Sequence, residues 1–173
     1  MAKKEMEKAQ SELKTVLNEL YKIHDKVHKE IQKQAPKFKL KGNETVGWLG
    51  EIYTAKFYGG EIVKDESSYD VIVNEDKEDE KRLEVKTRRR TSGSSWRNSG
   101  VIGFTKIGEV PPTHLIFVIL KNNYTIESIY EFEWDDVSTT RFRDSIVKKK
   151  VRGYFVRLLD TDNENHRRYF FES

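Results

Sequence analysis

The sequence contains no cysteine. That absence excludes a disulfide framework, a thiolate zinc site and a cysteine nucleophile together. It also lacks any apolar run near the ~20 residues needed to cross a bilayer; the longest, Leu115 to Leu120, has six. The start, Met1-Ala2-Lys3-Lys4-Glu5-Met6-Glu7-Lys8, has no apolar core of the kind that opens a signal peptide. Gly100, Gly103 and Gly108 are not followed by Lys-Ser/Thr, so no phosphate-cradling loop is present and no nucleotide cofactor is expected. Apolar residues are scarce, at 36% against 35% charged, yet 9 Phe, 8 Tyr and 3 Trp in 173 residues can still fill one compact core. The expectation is a soluble, cytoplasmic protein with no membrane partner.

Net charge is only +3, but the signs are segregated. Lys64 to Glu84 holds 4 basic and 9 acidic residues. Val85 to Gly108 holds 6 basic residues and no acidic one, and Arg141 to Arg157 holds 7 basic residues against Asp144 alone. Two positive stretches flanking a negative one suit a protein that neutralises phosphates around a site needing carboxylates. Ordinary solvated surface produces such clusters too, so the pattern acquires meaning only beside a motif.

Residues 3 to 34 read as one long helix ended by Pro36. Met6, Leu13, Leu20 and Val27 recur every seven residues, Leu17, His24 and Ile31 form a second series, and Val16 and Ile23 widen the stripe. Such a stripe serves either a dimer seam or packing on the helix's own domain. Residues 1–36 are therefore set apart as a possible dimerisation element, with the main domain over 37–173. After a basic linker at 37–43, a second helix is expected over 44–58, stopped by Gly59-Gly60. Strands follow at 61–63, 69–73 and 82–87, with a charged hairpin loop at 74–81 between the last two. Arg88 to Gly100 reads as a long mobile loop. Further strands are expected at 101–107, 113–121 (buried, from its continuous apolar run), 124–133, 153–159 and 167–171, with a short helix within 134–144. The fold class is mixed α/β or α+β, with helices preceding a sheet.

The chemistry gathers at Asp70 and Glu84-Val85-Lys86. Alternate residues of a strand share a face, so Glu84 and Lys86 point the same way. A hairpin between 69–73 and 82–87 brings Asp70 beside them. Two carboxylates at one point repel, and their natural partner is a hard divalent cation with oxygen ligands, such as Mg²⁺. A neighbouring lysine can orient an attacking water and stabilise charge growing on a phosphoryl group. The alternative is a turn aspartate beside a surface ion pair; against it, Leu83 and Val85 occupy the opposite, buried face, leaving Glu84, Lys86 and nothing apolar on the other.

These residues resemble the PD-(D/E)xK nuclease superfamily, with Asp70 as the lone aspartate and Glu84-Val85-Lys86 as the (D/E)xK tripeptide. Tyr69 stands where the family name has proline. Upstream, Glu51 in Gly47-Trp48-Leu49-Gly50-Glu51 is similar to the helix glutamate that many members carry, and the ordered set spans residues 47 to 120. The resemblance implies a restriction-endonuclease-like mixed central sheet flanked by helices. It also implies Mg²⁺, with Mn²⁺ as a substitute, held by Asp70, Glu84 and the Val85 carbonyl. Lys86 would position the water, Glu51 would assist, and the products would carry 5′-phosphates.

DNA contacts are expected from Arg88, Arg89, Arg90, Ser94, Ser95, Trp96, Arg97 and Asn98, just beyond the (D/E)xK strand, and from Lys148, Lys149 and Lys150. His24 and His28 are four apart on the first helix, but no third ligand has suitable spacing and His24 lies on the apolar stripe, so a structural role is expected. The reading is an endodeoxyribonuclease acting on double-stranded DNA, resembling a type II restriction enzyme that works as a homodimer. A junction-resolving or repair nuclease is the alternative in the same class. A noncatalytic DNA-binding or coiled-coil adaptor is the alternative outside it.

Overall fold

The apolar stripe of the first helix determines where that helix lies. In a computed structural model describing residues 2–34, 44–63, 68–99, 102–103, 108–139, 145–147, 151–154 and 156–171, α1 runs Ala2–Gln34. Met6 and Leu17 are buried in the same cluster as Leu83 and Ile116, with Leu13, Leu20 and Tyr21 packed against it. From Met6 to Tyr21 the stripe is thus filled by the helix's own chain, while the side chains of Val27, His28 and Ile31 lie outside the described residues. Buried Gln10 fixes the register by accepting the Ile126 N–H at 2.7 Å, and His24 Nδ1 lies 3.1 Å from the Tyr124 hydroxyl, a structural contact. Val16 and Ile23 do not widen the stripe; they are 61% and 58% exposed. A helix turns about 100° per residue, which carries both roughly a quarter-turn or more from the direction of Leu17.

Helix α2, Glu44–Tyr58, buries Val46, Leu49, Tyr53 and Ala55. It stops as its sequence requires: Gly59 adopts φ 70° and the Gly60 N–H donates to the Ala55 carbonyl at 2.9 Å, a Schellman-type closure. The strands that follow are β1 Glu61–Ile62, β2 Val71–Val73, β3 Lys81–Arg89, β4 Ile102–Gly103, β5 His114–Leu120 and β6 Ile126–Glu133. After α3, Trp134–Thr139, come β7 Ser145–Val147, β8 Val151–Tyr154, α4 Asp162–Asn165 and β9 Arg167–Phe170.

The main sheet has six strands in the order β1-β2-β3-β5-β6-β9. Among the described residues only β3 and β5 pair in parallel, so the fold is mixed α+β with a long N-terminal helix. A parallel pair requires a crossover, and residues 90–113 supply it. One face of the sheet, with Leu83, Val85, Ile116 and Val118, packs on α1 and α2. The other, with Leu115, Phe117, Ile119 and Phe132, is covered by Ile102, Val137, Val156 and Leu158. Strand β5 is therefore buried at all seven positions, which explains its unbroken apolar run. A second, three-stranded sheet has the order β4-β8-β7.

The expected strand at 153–159 is displaced: β8 ends at Tyr154, and Arg157 instead bridges Asn98. The linker 37–43, Pro36, Ser67, most of the expected strand at 101–107, Arg141 to Asp144 and Lys148, Lys149 and Lys150 lie outside the described residues. Among the described residues no helix is long and apolar enough to cross a membrane.

Candidate active site

The site forms where β2 leaves β3. Val71–Leu83 is the last pair between them, and the Asp70 N–H still donates to the Leu83 carbonyl at 2.9 Å. One step further the Asp70 side chain replaces the missing strand, Oδ2 accepting the Val85 N–H at 2.7 Å. The N–H and C=O of a strand residue lie on the same edge, so the Val85 carbonyl faces the same gap. Glu84 and Lys86 share the opposite face from Leu83 and form an ion pair, Lys86 Nζ to Glu84 Oε1. On that face β3 carries only polar side chains, as expected, but the neighbouring strand does not. The parallel register sets Glu84 beside Leu115 and Lys86 beside Phe117, both buried. The polar row Arg82, Glu84, Lys86 and Arg88 thus borders an apolar core, because the second sheet and α3 cover β5 on this side.

This bordering controls the electrostatics. The Glu84 side chain is only 12% exposed. Burial pushes its carboxyl above the ordinary value; the Lys86 ammonium opposes this, while the Asp70 and Glu51 carboxylates add to it. Glu51 lies on α2, which approaches β3 closely because residue 50 is glycine. A Cβ built there falls 1.7 Å from Thr87 Oγ1 and 2.8 Å from Thr87 Cβ. Gly50→Ala should therefore destabilise the protein by about 2 kcal/mol by overpacking, read as a lower urea midpoint. The penalty should shrink in a Thr87→Gly background. An equal penalty in both backgrounds would show that the helix–strand contact is not its source.

Asp70, Glu84, Lys86 and Glu51 are thus brought together. The expected DNA-contact group is not brought together in the same way. Arg88 and Arg89 diverge to opposite faces of β3. The Arg88 Nε–H donates to the Asn98 carbonyl at 2.9 Å, and burial lowers its pKa. Arg89 lies 4.5 Å over the Tyr124 ring, on the α1 side. Arg90 pairs with Glu127 at 2.8 Å.

The segment expected to be a long mobile loop is instead pinned. Ser94 Oγ accepts the Thr91 N–H at 2.9 Å, and the Ser95 carbonyl accepts the Asn98 N–H at 3.0 Å. The Arg97 carbonyl accepts the Leu158 N–H at 2.8 Å, and the Val156 carbonyl accepts the Ser99 N–H at 2.9 Å. Backbone groups that looked loop-like in sequence find partners in 156–158. Trp96 packs against the second core cluster, and Arg97 reaches Asp160 at 3.0 Å.

A second charged cluster was not anticipated. Glu131 of β6 has a 10% exposed side chain. Its Oε1 accepts from Lys81 Nζ at 2.9 Å, and its Oε2 accepts from Arg168 Nε at 3.0 Å and from the Tyr58 hydroxyl at 3.1 Å. His114 Nε2 stands 3.6 Å from Oε1 and 3.3 Å from Glu133. The sequence signal was a glutamate inside an otherwise apolar stretch, Ile129 to Phe132.

Among the described residues no three His, Asp or Glu side chains converge as a ready-made metal cage. The donors at the β2–β3 gap are nonetheless hard oxygens: the Asp70 and Glu84 carboxylates and the Val85 carbonyl. Mg²⁺ characteristically takes only one or two carboxylates and completes its shell with waters and substrate phosphate, so this donor set fits it. No protein-family model matches the chain, and no curated protein matches it.

Proposed function

We propose that the protein is a Mg²⁺-dependent endonuclease that hydrolyses DNA phosphodiester bonds, with a PD-(D/E)xK site in a restriction-endonuclease-like fold. The observation that carries this reading is the meeting of Asp70, Glu84, Lys86 and Glu51 at the point where β2 splays from β3. Two carboxylates at the gap, Asp70 and Glu84, with Lys86 paired to Glu84 and Glu51 within electrostatic reach of it, form an arrangement beside an apolar wall that a divalent cation and a phosphate would relieve. Mg²⁺ held by Asp70, Glu84 and the Val85 carbonyl would supply Lewis acidity toward a phosphoryl oxygen. Lys86 holds an ammonium next to Glu84, where it can orient a water for in-line attack and stabilise negative charge on the phosphoryl oxygens. The apolar wall of Leu115 and Phe117 lowers the local dielectric and strengthens both effects. Glu51, from α2, adds negative charge that Glu84 feels.

A type II restriction enzyme acting as a homodimer is one form of this activity. A junction-resolving or repair nuclease is favoured over it by a specific observation. Arg88 and Ser94, two of the expected contact side chains, are engaged in holding the 91–99 segment together, leaving fewer groups to read base edges.

Incubation of the purified protein with long duplex DNA, in Mg²⁺ and in EDTA, tests the reading. Cleavage is expected in Mg²⁺ alone. Discrete fragments assign a recognition sequence; a smear, or cutting confined to branched DNA, assigns a structure-selective enzyme. Intact duplex and intact junctions in Mg²⁺ would replace the nuclease with a noncatalytic DNA-binding adaptor.

A further inference from the structure

We propose that a cleft beyond the C-terminal ends of β3 and β5 binds unpaired nucleotides of a single-stranded DNA segment, its aromatic rings stacking with the bases. The cleft has a volume of about 810 Å³ and is lined in part by Arg90, Trp96, Lys121, Glu127, Phe170 and Phe171. Its aromatic rings each carry a cation. Arg90 and Arg97 lie 4.6 and 5.3 Å from the Trp96 ring, Lys121 lies 4.6 Å from Phe171, and Arg167 lies 4.7 Å from Phe170. Glu127 is the one carboxylate among the described lining residues, and Arg90 neutralises it. Arg97 is likewise paired, with Asp160, so Lys121 and Arg167 carry the positive charge beside the rings.

Water is a poor solvent for exposed ring faces, and Phe170 is 44% exposed. Nucleobases offer π-faces of any sequence, and their phosphates offer charge to Arg and Lys, which is how single-strand binding surfaces operate. Bases in a duplex have both faces already stacked, so this chemistry selects unpaired ones. The choice of nucleic acid as partner rests on the nuclease reading, through continuity along β3. Arg90 lies four residues past Lys86, or about 13 Å at ~3.3 Å per residue. A strand crossing the Glu84–Lys86 site would reach the cleft within a few nucleotides.

The test measures anisotropy of a fluorescein-labelled blunt duplex and of the same duplex bearing a 3′ or a 5′ thymidine tail, in EDTA so that nothing is hydrolysed. The wild-type protein should bind one tailed duplex about tenfold tighter than the blunt one. Phe170→Ala should bring that ratio close to one; so should Trp96→Ala, whereas Trp96→Phe, which keeps a ring, should retain most of it. Phe170 is exposed enough that its truncation leaves the cores intact, which a melting curve verifies. Equal affinities for blunt and tailed DNA in the wild type would overturn the proposal, as would a tail preference that survives both Phe170→Ala and Trp96→Ala. Repeating the incubation in Mg²⁺ separates the two ideas. Cleavage without tail preference removes the cleft and keeps the nuclease; tail preference without cleavage does the reverse.

Discussion

Lys86→Ala should lower the rate of Mg²⁺-dependent DNA cleavage by about a thousandfold, within the range seen when a positioned proton-transfer or charge-stabilising group is removed. Affinity for uncleaved DNA in EDTA should change less than about tenfold, because one ammonium among many cations contributes little to the summed phosphate attraction. Glu84→Gln should give a comparable loss of rate by a different route: the shape persists and the charge that would hold the cation does not. The two readouts separate a functional site from a structural ion pair. Burial, together with Asp70 and Glu51, holds the Glu84 carboxyl above its ordinary value despite Lys86. Removing its charge therefore relieves repulsion in the folded state, and Glu84→Gln should melt no lower than the wild type. Loss of activity without loss of stability is the signature of a group kept for chemistry. A Lys86→Ala protein that cuts at the wild-type rate would remove the proposed site. A Glu84→Gln protein that melts several degrees lower would make the pair structural.

The parts of the fold legible in sequence were those governed by local rules. The end of α2 at Gly59-Gly60 follows from the need for a left-handed residue, and β5 follows from an apolar run that only a doubly covered strand can bury. The pairing of β2 with β3 follows from a charged turn between two alternating segments. The placement of Asp70, Glu84 and Lys86 near one another was legible to the same degree, since it depends on strand alternation and one hairpin. What failed was non-local. Arg88 to Ser99 looks like free loop because its composition is Ser, Gly and Arg, yet its hydrogen-bond partners lie some sixty residues onward at Val156 and Leu158. The course of α1 was open because a seven-residue stripe is equally good for a partner helix or for a sheet face, and Gln10 to Ile126 is a contact no periodicity reveals. Glu131 was passed over for the same reason, as its partners come from α2, β3 and β9.

Glu131→Ala should cost about 3 kcal/mol of unfolding free energy, at the lower end of the range for breaking a buried pair from one side. That corresponds to a fall of roughly 6–12 °C in melting temperature for a chain of this size. The lower end applies because Lys81 and Arg168 are 38% and 45% exposed and can rehydrate, whereas the Tyr58 hydroxyl loses its acceptor while staying mostly buried. Lys81→Ala combined with Glu131→Ala should cost less than the two single changes added together. The cluster should also shape how acid unfolds the protein. Burial alone would raise the Glu131 carboxyl, but Lys81, Arg168 and Tyr58 outweigh it and hold the group below its ordinary 4.5. The unfolded chain then binds the proton more readily, so this stabilisation is complete above about pH 4.5 and disappears as pH falls through the lower folded value. Beside it, burial and Lys81 hold His114 below its ordinary 6.5 against the pull of Glu133 and Glu131. Stability should therefore begin to fall as pH drops below about 6.5 and fall again below about 4.5. Urea midpoints across this range should show Glu131→Gln flattening the lower fall and His114→Gln flattening the upper one. If Glu131→Gln runs parallel to the wild type below about pH 4.5, the cluster is not what acid disrupts; Glu84 cannot take its place, because a carboxyl held above its ordinary value is eased by protonation.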